Sequence, residues 1–217
     1  MLFSTPEGLI DLAIRNLTVA GWTGRDRAAV DHHIAELAAL GVAPPSKVPL
    51  YYRVSDALLT QAASIQVVGA ETSGEVEPLV IRSGGRLYLG LASDHTDRAL
   101  EVASVAASKQ VCDKPVAGAL WPWEEVENHL DALKLRTEIE EEGVWVPYQE
   151  GTLAAIRPLP DLIADAALAD GDAMLCGTLS TIDGVRPARA YRMALTDPVL
   201  GRDMSLAYTV MPLPIVA

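Results

Sequence analysis

Between Leu133 and Val146 the chain specifies its local conformation tightly. Leu133, Leu135, Thr137 and Ile139 alternate with Lys134, Arg136, Glu138 and Glu140, the period-two pattern of a half-buried strand. Glu142-Gly143 then supplies a turn, and Val144-Trp145-Val146 runs back. A hairpin with one wet face therefore accounts for the glutamates at 138–142, which form a solvated face and tip rather than an acidic binding tract.

The same reading extends in both directions. From about Pro49 to Ala92 the pattern is strand-like and punctuated by glycine. A helix is expected to start near Thr23-Gly24, with Val30, Ile34, Leu37 and Leu40 at helical spacing and Gly41 as its stop. Further helices are expected over 97–107, 123–132 and 161–168, a buried strand from Gly171-Asp172, and two closing strands about 197–201. No internal repeat or low-complexity linker interrupts this, so residues 1–217 read as a single strand-rich α+β domain. Its length suffices for a full core. Half of the residues are hydrophobic but only one is phenylalanine, so that core must be mainly aliphatic.

Charge and cysteine content narrow the function classes. A formal net charge of −12 argues against nucleic acid or an anionic membrane as partner, since both require clustered Lys and Arg. The apolar runs are too short for a membrane span, and the first residues lack a signal-peptide layout. Two cysteines, Cys112 and Cys176, are too few for a disulfide framework and fit a reducing cytoplasm.

The chemistry concentrates in two stretches, Gly74-Glu75-Val76-Glu77 and Ser93-Asp94-His95-Thr96-Asp97-Arg98. Residues two apart on a strand share a face, so Glu75 and Glu77 aim their carboxylates at one spot. Asp94 follows the next apolar run. Three oxygen ligands on adjacent strands suit a hard divalent cation such as Mg²⁺ or Mn²⁺; the plain alternative is a pair of solvated glutamates and a loop aspartate. Arg98 and Lys109 would bring positive charge to this acidic pocket, and an arginine grips a carboxylate through two parallel bonds. Cys112 and Cys176 read as buried small apolar residues, and Trp121 and Trp123 as packing.

In order and spacing, these motifs resemble the fumarylacetoacetate hydrolase superfamily, and more narrowly a bacterial subfamily of unassigned function within it. Ala20-Gly21-Trp22-Thr23-Gly24-Arg25-Asp26, His33-Ile34-Ala35-Glu36-Leu37 and Ser93 to Arg98 carry the narrower likeness. Glu75-Val76-Glu77 stands where the superfamily has its metal-binding strand, Asp94 where it has its third ligand. Ser108 to Asp113 is similar to its Lys-Ser-Phe-Asp segment, Gln149-Glu150-Gly151-Thr152 to its Gln-x-Gly-x-Thr strand end, and Gly171-Asp172 to Gly177-Thr178 keeps its Gly-Asp-x-x-x-x-Gly-Thr signature.

The resemblance implies a mixed β-roll or sandwich that pairs as a homodimer, a cytoplasmic enzyme, and a metal held by Glu75, Glu77 and Asp94. It implies that Lys109 supports the developing charge and that Arg98, Gly177 and Thr178 contact a small oxo-acid substrate. It also implies that His33, oriented by Glu36 one helical turn on, activates water to cleave an acylpyruvate-like 2-oxo acid. His32 is the alternative to His33, being 100° round the helix, while His95 is expected to pack beside the metal strand. Decarboxylation, isomerisation or hydration on the same metal site, or metabolite binding without catalysis, are the other readings. The chain departs from the pattern at Gly74 (aromatic or histidine in the family), Pro78, Arg53 and Leu179-Ser180, which leaves the substrate class open.

Overall fold

The computed structural model describes residues 1–39 and 41–216; the side chains of His33 and Leu37 lie outside the described residues. Two sheets form the architecture. The first runs, in spatial order, Trp121–Pro122, Arg86–Ser93, Val76–Ser83, Asp172–Leu175, Asn16–Gly21 and Leu50–Val54. The second runs Val144–Thr152, Lys134–Glu141, Ala190–Asp197, Arg202–Leu213 and Ser64–Val68. Neighbours are antiparallel except Asp172–Leu175 beside Asn16–Gly21 and Arg202–Leu213 beside Ser64–Val68.

The first sheet is buried on both faces. Val76, Val80, Leu89, Leu91 and Met174 join residues of the second sheet such as Leu135, Ile139, Met193 and Leu206 in one core. Leu79, Ile81, Ala92, Ala173 and Leu175 point the other way, into a second core shared with Phe3, Leu17 and Leu59. This explains why the central strands carry long apolar runs while the Lys134–Glu141 strand alternates, with Leu135, Thr137 and Ile139 buried. Each fully buried aliphatic side chain contributes about 1.5–3 kcal/mol.

The hairpin forms as expected, with Glu142 and Gly143 both at positive φ (51° and 82°). The expected helix at 97–107 is instead two short ones, Arg98–Glu101 and Val105–Gln110, because the Ser104 side chain accepts from Ala107 N and starts the chain afresh. The 123–132 helix shortens to Trp123–Val126 followed by a 3₁₀ turn at Leu130–Ala132.

The first long helix spans Arg27–Ala39, later than expected at Thr23-Gly24. Backbone groups of Thr23 and Arg25 are already bonded to Arg157 and Ala155, so those residues cannot enter a helix. Asp26 caps it instead, accepting from Ala28 N and Ala29 N at 2.9 and 3.3 Å. Arg25 fixes the entry through a two-pronged pair with Asp131 at 2.7 and 2.6 Å. Gly41, at φ 94°, ends the turn. Val30 is buried on this helix; Leu37 and Leu40, also expected on its apolar face, lie outside the described residues. Cys112 and Cys176 are buried and free, and Trp121 and Trp123 are buried.

Candidate active site

The strand ladder sorts the motif residues onto two faces. Val76 lies opposite Ser93 and Glu77 opposite Ala92, and Asp94 N–H donates to Glu75 O at 2.9 Å, extending the ladder past the named strands. Alternation then sends Gly74, Ser93 and His95 toward the second sheet and Glu75, Glu77 and Asp94 to the opposite side. Glu77 and Asp94 are buried, and 16% of the Glu75 side chain is exposed.

Three cations meet the three carboxylates. Lys109, in the last turn of Val105–Gln110, bonds Asp94 Oδ2. Lys114 sits on a two-residue strand, Lys114–Pro115, held parallel to Leu59–Thr60. It is fully buried, lies 3.2 Å from Asp94 Oδ1, and donates to the His95 carbonyl. Arg98 donates from Nε to Ser73 Oγ at 2.7 Å and from Nη1 to Glu101 at 3.0 Å, while Nη2 lies 2.9 Å from Glu75 Oε2 as an ion-pair contact. Glu77 differs: its Oε2 accepts from Gly177 N–H at 2.7 Å.

These surroundings set the charges. Burial would raise the Asp94 carboxyl, but Lys109 and then Lys114 override it and hold it well below the usual range. Burial, followed by the Asp94 charge, pushes Glu77 far up, with Lys109 opposing. Burial alone would lower Lys109; its carboxylate neighbours, Asp94 first, raise it instead. Lys114 is lowered by burial, which Asp94 offsets in part. Glu77 is thus the carboxylate least compensated by the protein's own cations.

The predicted substrate contacts are all engaged within the protein. Gly177 N–H holds Glu77. Thr178 Oγ1 donates to Val76 O and accepts from Gln149 Nε2, at 2.7 and 2.8 Å, and Gln149 Oε1 accepts from Val76 N–H at 2.9 Å. Arg98 braces Glu75. A Cβ on Gly177 would fall 1.6 Å from Thr23 Oγ1, and its φ is 99°, so that position admits only glycine.

The opposite face explains Gly74. A Cβ there would lie 2.0 Å from the Tyr208 hydroxyl. Tyr208 fills the volume, bonding Ser93 Oγ at 2.8 Å and His95 Nδ1 at 3.0 Å. Thr72 Oγ1 takes His95 Nε2 at 2.9 Å, so His95 is locked and fully buried beside the carboxylate strand, as expected. Lys114 and Tyr208 escaped the sequence reading. Lys-Pro after an aspartate reads as loop, and a tyrosine 113 residues from His95 leaves no local signal.

On the helix, Glu36 Oε1 lies 3.3 Å from His32 Nε2, with both side chains mostly exposed. The His33 side chain lies outside the described residues.

Carboxylate oxygens and the weakly compensated Glu77 fit a hard divalent cation by donor chemistry. In the described side-chain positions Glu75 and Asp94 turn to Arg98 and the lysines, and among the described residues no group of three His, Cys, Asp or Glu is arranged to hold a metal.

Among solved structures, a candidate fumarylacetoacetate isomerase/hydrolase from Oleispira antarctica superposes with TM-score 0.68 at 16% identity, over 96% of this chain and 99% of that one. A yeast fumarylacetoacetate hydrolase family protein gives 0.66 at 14%, over 94% and 96%. A 2-keto-3-deoxy-D-arabinonate dehydratase complexed with magnesium and 2,5-dioxopentanoate gives 0.63 at 15%, over 94% and 75%. No match is found among curated proteins. The chain has the fold of the fumarylacetoacetate hydrolase-family proteins. A family model described as protein of unknown function (DUF2848) matches residues 20–208, and the chain belongs to that family.

Proposed function

We propose that this protein is an enzyme acting on a small 2-oxo acid through a divalent metal, Mg²⁺ or Mn²⁺, held by Glu75, Glu77 and Asp94. The observation that carries the reading is Glu77. It is a buried carboxylate on the same face as Glu75 and Asp94, and its oxygen is held by the Gly177 backbone N–H, whereas the other two face Arg98, Lys109 and Lys114. Three carboxylates on one face are the donor set that a hard dication takes. The metal, when bound, supplies a Lewis acid for the oxo group and a sink for enolate charge.

The chain's own residues set up the rest. Gly177 N–H and the Gln149–Thr178 bonds fix the strand end and the Glu77 carboxylate. Arg98, braced by Ser73 and Glu101, orients Glu75. Lys109, kept protonated by Asp94, places positive charge against a substrate carboxylate or enolate. Carbon–carbon bond hydrolysis of an acylpyruvate is the first reading, with a helix-borne base, His33 with Glu36, taking a proton from water. The second is a reaction needing no attacking water, such as decarboxylation, isomerisation or dehydration. Among the structural neighbours, the magnesium-bound one is named as a dehydratase.

The test combines stability and turnover. Mg²⁺ or Mn²⁺ should raise the melting temperature of the wild type, and Glu75→Gln with Glu77→Gln should abolish that rise. Unchanged metal stabilisation in the double variant would sink the metal assignment. Turnover of an acylpyruvate but not oxaloacetate supports hydrolysis; the reverse supports the second reading.

A further inference from the structure

A cavity of about 280 Å³ lies between the loop after the first helix and the Arg98–Gln110 segment. Val42, Pro44, Leu50, Val102 and Val105 supply apolar walls. Two further lining residues, Tyr52 and Glu101, connect it to the carboxylates through Lys109 and Arg98. The Tyr52 ring lies 5.8 Å from the Lys109 ammonium that holds Asp94. Glu101 pairs with Arg98, which pairs with Glu75. Tyr52 is itself fixed by the Trp22 indole N–H at 3.0 Å.

We infer that this cavity receives the non-reacting tail of the substrate and selects a short, uncharged, aliphatic one; this rests on the 2-oxo acid reading above. The volume falls just under the roughly 300–1,000 Å³ of a complete ligand pocket, so it suits part of a molecule whose head lies at the carboxylates. None of the lining residues is a Lys, Arg or His, and Glu101, the one acid among them, already has Arg98 as partner. An anionic tail therefore finds no counter-charge there and loses its hydration.

Calorimetric titration in MgCl₂ with pyruvate, 2-oxobutanoate, 2-oxopentanoate and 2-oxohexanoate tests this. Fully burying a methylene is worth about fourfold in affinity, so three should tighten binding by roughly ten- to sixtyfold in a partly open cavity. The diacid 2-oxoadipate should bind more weakly than 2-oxohexanoate. Ala103→Phe, at an exposed wall position, should leave pyruvate binding within about twofold while flattening the series by removing the burial available to the tail. Ala106→Leu, at a second exposed wall position, should flatten it partly. A flat series with the wild type, or a steep one that Ala103→Phe leaves steep, overturns the cavity assignment alone. No pyruvate binding at all overturns the 2-oxo acid reading and this inference with it.

Discussion

Replacing Gly74 by alanine should drive a methyl group into the Tyr208 hydroxyl, because the new Cβ would lie 2.0 Å from that oxygen and 2.7 Å from Ser93 Oγ. Tyr208 cannot swing away. It is fully enclosed, stacked on Tyr191 with ring centroids 5.0 Å apart, and tied to Ser93 and His95. Overpacking of this kind costs about 1–3 kcal/mol. Tyr208→Phe alone leaves Ser93 Oγ and His95 Nδ1 without that partner, at a cost of about 1–3 kcal/mol. In the double variant the hydroxyl that clashes is gone, so the two costs should not add. A coupling of at least about 1 kcal/mol in the favourable direction is expected, within the range seen for residues in contact. Urea unfolding followed by the fluorescence of the four tryptophans reads all four species of the cycle. Costs that add to within about 0.5 kcal/mol, the behaviour of independent sites, would refute the claim that Tyr208 occupies the space the glycine vacates.

Asp197 gives a pH test away from the site. Burial would raise its carboxyl, but the Leu200 N–H, His129 and the Val199 N–H together lower it. A lowered folded-state value means its stabilisation is full above the ordinary carboxylate value near pH 4 and is lost as pH falls through the lower folded value. Asp197→Asn should therefore cost about 1.5–3 kcal/mol at neutral pH, and the gap to wild type should close progressively as pH falls below about 4; a gap that stays constant on acidification contradicts the assignment. The fold also leaves Met211, Ile215 and Val216 at the C-terminal end 52–87% exposed, and apolar surface in water costs about 25 cal/mol per Å². We propose a homodimer that covers them. Light scattering at micromolar concentration should give twice 23.1 kDa, and a mass of one chain would refute it.

Local pattern made the secondary structure legible wherever it was regular. Period-two alternation gave the hairpin that starts with Lys134–Glu141, Gly143 marked its turn and Gly41 the stop after the first helix, because positive φ is a property of single residues. Spacing also told that Glu75 and Glu77 share a face, since a strand offers only two. Which face was another matter. That depended on the second sheet bringing Tyr208 against Gly74, Ser93 and His95, which leaves the other side to the carboxylates. Similarly, the helix start at Asp26 was decided by backbone bonds from Thr23 and Arg25 to residues 155–157, a pairing no window around Gly24 contains. Lys114 is the clearest case. In sequence it is a lysine before a proline; in the fold, a parallel pairing with Leu59–Thr60 carries it into the interior beside Asp94. Sequence periodicity is short-ranged and so determines elements and which of their residues share a face. The charge balance of the site comes from side chains that only the packing of both sheets brings together, and only the tertiary structure could decide it.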